Sequence, residues 1–309
     1  MIGKTLLKRA SELLLMLAAL ISVLFLLLRA TGDPAASIAG QDADPATIAA
    51  IRQAYGLDQS LAIQYLRYVE RLAHGDFGVS LTSGDPALTM VMHALPGTLL
   101  LAGLAMAATI LVGIPLGIWL GAASRTPGRR AVSMAIYVLQ GTPGFVIALV
   151  LVQIFAISTD ILPAMGFGGP QTWILPAASL SIYLAPKLAR VLSVNIADAI
   201  EDDYVRTARS AGASPTRILL SHITPNALLG SVALIGSQFA HLIGGALVIE
   251  TIFAWPGIGR LLVQSTLNLD FPVVQSAAIV IAILVFAANT ATDAAFVILD
   301  PRLRERAAP

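Results

Sequence analysis

Long runs without a charged side chain dominate this sequence and constrain its fold more than any other feature. Six runs of 16 to 39 residues contain no Asp, Glu, Lys or Arg. A helix needs about 20 mostly apolar residues to cross a bilayer, because each residue adds about 1.5 Å to its length. The second run starts at residue 86, but His93 and its polar neighbours move the expected start of its helix to Ala94. We therefore predict six transmembrane helices, within residues 13–28, 94–124, 131–159, 161–186, 218–249 and 271–292.

The composition also indicates a membrane protein. Apolar residues make up 57% of the chain and charged residues 12%, whereas soluble domains carry about 25% charged residues. So little charge cannot cover a water-facing surface of this size, which excludes a soluble enzyme, a nucleic-acid-binding protein and a disordered chain. The sequence has no cysteine. Disulfide scaffolds, thiolate metal sites and a cysteine nucleophile are therefore excluded as well.

The distribution of basic residues predicts the orientation in the membrane. Of the 19 Lys and Arg residues, 14 lie in the N-terminal tail, the 124–130 and 187–217 loops and the C-terminal tail. Because basic loops stay in the cytoplasm, both termini are expected there. An alternative interpretation makes the first apolar run a cleaved signal peptide, since basic residues precede it and small residues follow. The charges elsewhere favour a retained helix.

Residues 31–93 would lie on the opposite, external side. Asp44 as N-cap, Pro45 at the first helical position and Gly56 as a stop predict one helix there. A second helix is expected from Ser60 to Ala73. Its predicted apolar face consists of Leu61, Tyr65, Leu66, Val69 and Leu72. The two helices either lie across the top of the transmembrane bundle or form an amphipathic connector on the membrane surface.

The loop between the fourth and fifth predicted spans is the most informative segment. Its apolar residues from 196 to 211 recur every three or four positions, which predicts one helix face. That face consists of Ile196, Ile200, Tyr204, Ala208 and Ala211. Gly212 is a helix stop, Ser214–Pro215 starts a short helix, and Thr224–Pro225 starts the fifth span. Such a projection suits insertion into a groove of another protein, while an inert amphipathic surface helix is the alternative.

The second span carries a regular series of glycines. Gly113, Gly117 and Gly121 recur at every fourth position. This is the small-residue spacing of close helix contacts in membranes. We interpret the series as a packing surface in preference to a gating hinge.

Motifs in this loop resemble those of a known family. The stretch Tyr204–Gly212, followed by His222, Pro225 and Asn226, resembles the EAA loop of ABC importer permeases of the dipeptide/oligopeptide/nickel branch. Further motifs resemble the family's in the same order along the chain. They are Gly32–Pro34, Tyr55–Asp58, Gln64–Tyr65, Gly75–Ser80, Glu250–Gly259, Asp270–Gln275 and Asp300–Arg302.

The resemblance implies an all-α polytopic protein of the bacterial inner membrane with six transmembrane helices. Residues 1–30 would form a cytoplasmic tail and the first helix, and 31–93 an external, scoop-like segment. Residues 94–309 would form the permease domain, with a coupling-helix loop at 193–225 between the fourth and fifth helices. The chain would be the channel-forming subunit of an ATP-driven importer that works by alternating access. Its cargo would be di- or oligopeptides, with nickel or another small solute as the alternative.

The resemblance also implies partners and site residues. The partners would be a second homologous permease, two cytoplasmic ABC ATPases, an extracytoplasmic substrate-binding protein and membrane lipid. Arg206, Thr207 and Ala208 occupy the positions of Glu-Ala-Ala, with a basic residue in place of the acidic one, as is common in the peptide branch. The residues expected to contact an ATPase are Glu201, Asp202, Tyr204, Arg206, Thr207, Ala208, Gly212, Ser214, Pro215 and Arg217.

Two residues of the membrane region are candidates for the translocation path. His241 would either face the path or form a hydrogen bond between helices. Glu250, at the end of the fifth span, would either face the path or be solvated at the membrane interface, and the second interpretation is favoured.

Several kinds of chemistry are missing from the sequence. It has no G-x-x-x-x-G-K-[ST] motif, so ATP and Mg²⁺ would bind to the partner ATPases and this chain would be no enzyme. Four scattered histidines suggest no metal site. An ion-coupled secondary transporter is the main alternative class, but it predicts carboxylates at the membrane midplane. An intramembrane protease would need paired catalytic residues at membrane depth.

Overall fold

The computed structural model describes residues 2–31, 35, 39–40, 43–54, 56–122 and 126–299, with the side chains of 2–6, 28–31 and 299 left aside. The motif residues 32–34, 55 and 300–302 lie outside the described part. Within it the fold is all-α, as predicted, with one isolated antiparallel bridge between Val79 and Pro86. The described helices are α1 (Ile2–Thr31), α2 (Pro45–Ala54), α3 (Leu61–Ala73), α4 (Ala87–Ala122), α5 (Pro127–Gly141), α6 (Gly144–Ser158), α7 (Pro170–Ala199), α8 (Asp203–Ser210), α9 (Pro215–Gly245), α10 (Leu247–Ile252), α11 (Ile258–Leu267) and α12 (Phe271–Leu299).

Five of these helices are long and apolar enough to cross a membrane: α1, α4, α7, α9 and α12. The pair α5 and α6 passes the same test together but is bent by 106°. The predicted count of six is reached when this pair forms one broken span. The bend lies at Thr142–Pro143, where Thr142 is extended (φ −88°, ψ 126°). A residue before proline avoids the helical conformation, because the proline ring clashes with its backbone.

The fourth predicted span, 161–186, has wrong boundaries. Helix α7 begins at Pro170 and continues to Ala199, past Lys187 and Arg190. Charged residues ended the apolar run in the sequence, but they do not end a helix, because long side chains carry their charges away from the axis. The start is late because Gly166 and Gly169 adopt positive φ angles of 112° and 152°. Side chains other than glycine rarely adopt such angles.

The structure divides into two compact units, Met1–Pro96 with Gly257–Leu284, and Gly97–Pro256 with Val285–Pro309. In the first unit, Ala87 and Val91 of α4 pack with Ile258 of α11 and with Val273 and Ala277 of α12. All five side chains are buried. Helix α11 and the first part of α12 thus share a core with the start of α4.

Capping residues of the first unit follow the prediction. Asp44 Oδ1 accepts a hydrogen bond from the Thr47 backbone N–H at 2.6 Å. Hydrogen bonds from Thr47 hold the pKa of Asp44 below its ordinary value of 3.8. Gly56 has a φ of 63°. The amide of Leu57 bonds to the Arg52 carbonyl at 2.8 Å, which is the helix stop that a C-terminal glycine provides.

The face of α3 that packs against α1 differs in part from the predicted one. The Phe25 ring of α1 contacts the rings of Tyr65 and Tyr68, with centroid distances of 5.3 and 5.8 Å. Tyr68 is buried, whereas Leu61 and Leu66 are 58% and 65% exposed. Tyr68 was not part of the predicted face, although it follows Tyr65 by three residues and therefore lies beside it on the helix. Burial raises the pKa of Tyr68 to about 12.

In the second unit, α4 and α7 cross at the glycine series. A methyl group built on Gly113, Gly117 or Gly121 would lie 3.0, 2.9 or 2.7 Å from the nearest atom of α7. The neighbouring atoms belong to Ala185, Leu188, Ala189, Leu192, Ser193 and Ile196. The prediction that these glycines form a packing surface is confirmed. The series brings the two helix backbones together and fixes the part of α7 that leads into the candidate site.

Candidate functional site

The candidate site is the segment that connects α7 to α9. Helix α7 ends at Ala199, residues 200–202 form a turn, and α8 follows from Asp203 to Ser210. The predicted single helix from Ile196 to Ala211 is therefore wrong. Acidic residues at 201–203 stabilise the first turn of a helix and destabilise the last. Three consecutive carboxylates accordingly favour a new helix start at Asp203.

The break changes which side of α8 faces the protein. Val205 is fully buried and Ala208 is partly buried. Both pack in a cluster whose buried members include Leu192, Ile196 and Ile218. Tyr204 is 37% exposed, and Ala211 is exposed as well. The predicted apolar face placed these two residues inward, because it assumed an uninterrupted helical phase from Ile196.

The turn after α8 is built as the sequence predicts. Gly212 has a φ of 80°, and its amide bonds to the Arg209 carbonyl at 3.0 Å. The amide of Ala213 bonds to the Ala208 carbonyl at 3.2 Å. This pair of bonds ends a helix with a glycine in the left-handed conformation. Nothing lies within 4 Å of a methyl group at Gly212, so its backbone conformation alone requires glycine.

Helix α9 starts as predicted but continues differently. The Ser214 hydroxyl accepts a hydrogen bond from the Arg217 amide at 3.3 Å, with Pro215 in the first turn. The second predicted start, at Thr224–Pro225, is wrong, because the helix runs on through a π-helical segment, Ile218–Ile223. Pro225 has no N–H to donate, and an expanded turn before a proline relieves the clash of its ring with the preceding turn.

Most side chains of this segment are exposed and charged. All of the residues predicted to contact an ATPase are exposed except Ala208, which is partly buried. Arg206 Nη1 lies 3.5 Å from Asp203 Oδ1, and these side chains are 72% and 96% exposed. An ion pair this exposed contributes little to stability. The charges on α8 are therefore available to another surface at small cost.

A groove lies beside this segment. It has a volume of about 540 Å³. Its lining combines apolar groups with one arginine and includes Ile200, Arg209, Ala213, Pro215, Thr216 and Leu219. The exposed face of α8 and this groove together form one surface, which we call the coupling surface (residues 200–219) after the role that the family resemblance implies.

The two candidate path residues differ in their surroundings. His241 is exposed on α9. Between Thr224 and Gly245, none of the exposed residues of this helix is large and apolar; they are Pro225, Asn226, Gly230, Ala233, Ser237, His241, Gly244 and Gly245. Leu220, nearer the start of the helix, is 53% exposed. By contrast, α4 exposes large apolar side chains such as Leu111 and Val112 at 73% and 54%.

Glu250 is not solvated, and the favoured sequence interpretation is wrong here. Its side chain is 0% exposed. Its Oε1 accepts a hydrogen bond from the Thr98 hydroxyl at 2.7 Å. A hydrogen-bonded carboxyl group can be enclosed where a solitary one could not. This pairing could not be predicted from the sequence, since Thr98 lies on a different helix.

Two polar clusters were missed by the sequence analysis. In the first unit, Asp270 is 1% exposed and accepts hydrogen bonds from Ser80, Thr82 and the Leu81 amide. Its position in the Asp270–Gln275 motif was the available signal. In the second unit, Lys187 and Arg190 served only as basic loop residues in the prediction of the orientation. Their three-residue spacing on a helix places them on one face.

The described residues contain no group of three His, Asp or Glu that could hold a metal ion. The charged groups of the coupling surface are exposed. The site is suited to contact with another protein.

Comparisons with known proteins identify the family of the chain. Residues 113–305 match the family described as "Binding-protein-dependent transport system inner membrane component". Residues 2–102 match the N-terminal family of the same systems. The structure is similar to a chain of the inward-facing MetNI methionine ABC transporter, with a TM-score of 0.58 at 18% identity, over 70% of this chain and 99% of that one.

Relatives with known names are similar over most of the chain. The glutathione transport system permease protein GsiC of Salmonella paratyphi A is 36% identical, over 88% of this chain and 89% of its own length. The "Probable peptide ABC transporter permease protein y4tP" of Sinorhizobium fredii is 36% identical, over 98% of this chain and 99% of its own length. The chain therefore belongs to the family of inner-membrane components of binding-protein-dependent transport systems.

Proposed function

We propose that this chain forms one wall of the translocation path of an ATP-driven importer for di- or oligopeptides. The observation that carries the proposal is α8, an exposed charged helix attached to the unit mainly through Val205. A helix that served only the fold would bury more of its surface. Relatives whose names specify glutathione or peptide support a peptide cargo. Nickel or another small solute remains the alternative within the family.

The proposed partners follow from the family. A second homologous permease would complete the path, two cytoplasmic ATPases would hydrolyse ATP with Mg²⁺, and an extracytoplasmic binding protein would deliver the cargo. Both termini and the coupling surface would face the cytoplasm, which the distribution of basic residues supports. An ion-coupled mechanism has less support, because it leaves the exposed α8 without a role.

The proposed roles differ along the coupling surface. Arg206 and Thr207 would contact an ATPase directly, because they lie on the outward side of α8. Ala208 would act from within by keeping α8 close to the cluster around Val205. Gly212 and Ser214 would fix the angle between α8 and α9. An ATPase that pulls on α8 would thereby pull on α7 and α9, which share that cluster.

A cross-linking experiment tests this docking role. Because the chain has no cysteine, Thr207→Cys introduces its only thiol. With a photoreactive maleimide, the variant is expected to cross-link to an ATPase subunit in the assembled importer. Ala131→Cys, at an exposed position of α5, is the matched control. Cross-linking of both variants to the same extent, or of neither in an intact assembly, would contradict the proposal.

We further propose that the small, polar face of α9 around His241 lines the path. Glu250 would lie outside the lining, because its side chain is enclosed and bonded to Thr98. In the assembled importer, Ser237→Cys is expected to react with a membrane-impermeant thiol reagent, at a rate that changes with nucleotide. Val112→Cys, on the apolar surface of α4, is expected to stay unlabelled. An unreactive Ser237→Cys in every nucleotide state would rule out this lining.

A further inference from the structure

Two cations lie close together on the surface of α7. Lys187 and Arg190 are three residues apart, so they occupy neighbouring positions on one helix face. Trp173, near the start of α7, precedes Arg190 by 17 residues, a helical distance of about 25 Å. Tryptophan is typical of membrane interfaces, and the hydrocarbon core is about 30 Å thick. The backbone positions of Lys187 and Arg190 thus approach the other membrane face, and their long side chains can carry the charges on to the lipid headgroups.

The partners of both cations are neutral. Lys187 Nζ donates to the Tyr183 hydroxyl at 2.9 Å and lies 4.1 Å from the centre of that ring. Arg190 Nη1 donates to Gln140 Oε1 at 3.3 Å. The guanidinium carbon lies 5.1 Å from the centre of the Tyr137 ring. Among the described residues, no carboxylate lies within ion-pair distance of either cation. We call these five residues the cationic cluster.

The two positive charges of the cluster are not balanced by a carboxylate of the described residues. Two like charges one helical turn apart destabilise each other, and the neutral partners offset little of that repulsion. Arg190 fixes the orientation of the Gln140 amide, and its Nε2 group is enclosed without an acceptor. The repulsion between the two cations would be relieved by an anion with several oxygen atoms.

The neighbouring surface is apolar. Helix α5 exposes Met134, Tyr137 and Val138 at 71%, 57% and 65%. These residues have the three- and four-residue spacing of a single helix face. An amphipathic ligand could place its charged group on Arg190 and its apolar part along this face. Basic pockets between helices at a membrane surface bind lipid headgroups in this way.

We propose that the cationic cluster binds the phosphate of an anionic phospholipid, with Arg190 and Lys187 as its charged ligands and the exposed face of α5 as the contact for an acyl chain. The proposal does not depend on which cargo the importer carries. A peptide carboxylate carries a negative charge, as a lipid phosphate does, but the apolar surface beside the cluster favours a lipid.

Thermal unfolding tests the proposal on the full chain, purified with the subunits that accompany it. Added phosphatidylglycerol is expected to raise the apparent Tm above that in phosphatidylcholine. In the double variant Lys187→Gln, Arg190→Gln, the phosphatidylglycerol concentration for half of this shift should rise about tenfold, since charge-assisted hydrogen bonds are lost. Native mass spectrometry should detect one fewer bound phosphatidylglycerol per chain.

Two control variants separate the site from general surface charge. Lys8→Gln removes a cation of α1 that is 76% exposed and should leave the shift unchanged. The exchange Lys187→Arg, Arg190→Lys keeps both charges and should retain most of the binding, so it guards against a simple folding defect. Equal losses in Lys8→Gln and the double Gln variant would overturn the proposal.

Uptake measurements distinguish a lipid from the cargo as the source of the anion. If the cluster binds a lipid, the double Gln variant should transport peptides with free and amidated carboxyl termini in the same ratio as the unmodified protein. If phosphatidylglycerol binding persisted in that variant while this ratio changed, the cluster would bind the carboxylate of the cargo, and the lipid proposal would be wrong.

Discussion

Adding one methyl group at the crossing of α4 and α7 should destabilise the protein by an amount that the structure predicts. In Gly117→Ala, the new carbon atom would lie 2.9 Å from both the Ala189 carbonyl oxygen and Leu192 Cβ. Favourable contacts between carbon atoms are about 3.5–4.0 Å. Neither neighbouring atom can move away by a change of side-chain rotamer, so the helices must separate by several tenths of an ångström.

The expected cost of this separation is about 1–3 kcal/mol, the range of overpacking in close-packed interiors. Such a change lowers Tm by about 2–4 °C per kcal/mol in a chain of 150–250 residues. Gly121→Ala should cost at least as much, because its methyl group would lie 2.7 Å from Ile196 Cβ. Gly103→Ala is the matched control on the same helix, since nothing lies within 4 Å of its methyl group.

The three variants should be compared by tryptophan fluorescence during heating in the same detergent. Gly103→Ala should keep or slightly raise Tm, because alanine favours the helix over glycine by up to about 1 kcal/mol. Gly117→Ala and Gly121→Ala should melt several degrees lower. Equal Tm values for all three variants would refute the conclusion that the glycines allow the close approach of α4 and α7.

Three further predictions concern a buried side chain, a helix cap and a buried carboxylate. Val205→Ala should remove the buried anchor of α8 at a cost of about 1–2 kcal/mol, and protease cleavage within 200–213 should become faster while membrane insertion is unchanged. The Asp44 carboxylate caps α2, and its pKa is lowered in the folded state. Its stabilisation is therefore complete above about pH 4 and lost as the pH falls through the lowered pKa. The protection of the Thr47 amide against exchange, relative to its intrinsic exchange rate at each pH, should fall there, and Asp44→Ala should abolish this pH dependence. Asp270→Asn should weaken the loop at 80–82 by about 1–3 kcal/mol, since an amide nitrogen replaces one acceptor oxygen, and hydrogen exchange of the Leu81 amide would reveal it. An unchanged exchange rate at Leu81 would contradict the role of that carboxylate.

The ends of several helices could be predicted from the sequence alone. Asp44, Gly56, Gly212 and Ser214 all occupy the predicted capping positions. A cap depends on residues within about four positions along the chain, so its signal is local. The same locality explains the partial success at α8. Its end at Gly212 was predicted, but its start at Asp203 was hidden within an apolar pattern that runs across the break.

The motifs that resemble the ABC permease family were also readable in the sequence, and the family is confirmed. They gave the position of the coupling surface along the chain. They did not distinguish the two responses to proline seen in the structure, a π-helical segment before Pro225 and a bend at Pro143. A proline announces a disturbance of a helix, but the surroundings decide whether it becomes a bulge or a bend.

The sequence by itself determined the helical class, the number of apolar segments and the caps, because these follow from length, hydrophobicity and local hydrogen bonding. Only the tertiary structure decided which face of each helix is buried. It enclosed Glu250, exposed Tyr204 and His241, and assembled the cationic cluster around Arg190. In a membrane protein, lipid is as apolar as the protein interior. Hydrophobic periodicity therefore marks a membrane segment without distinguishing its protein-facing side from its lipid-facing side.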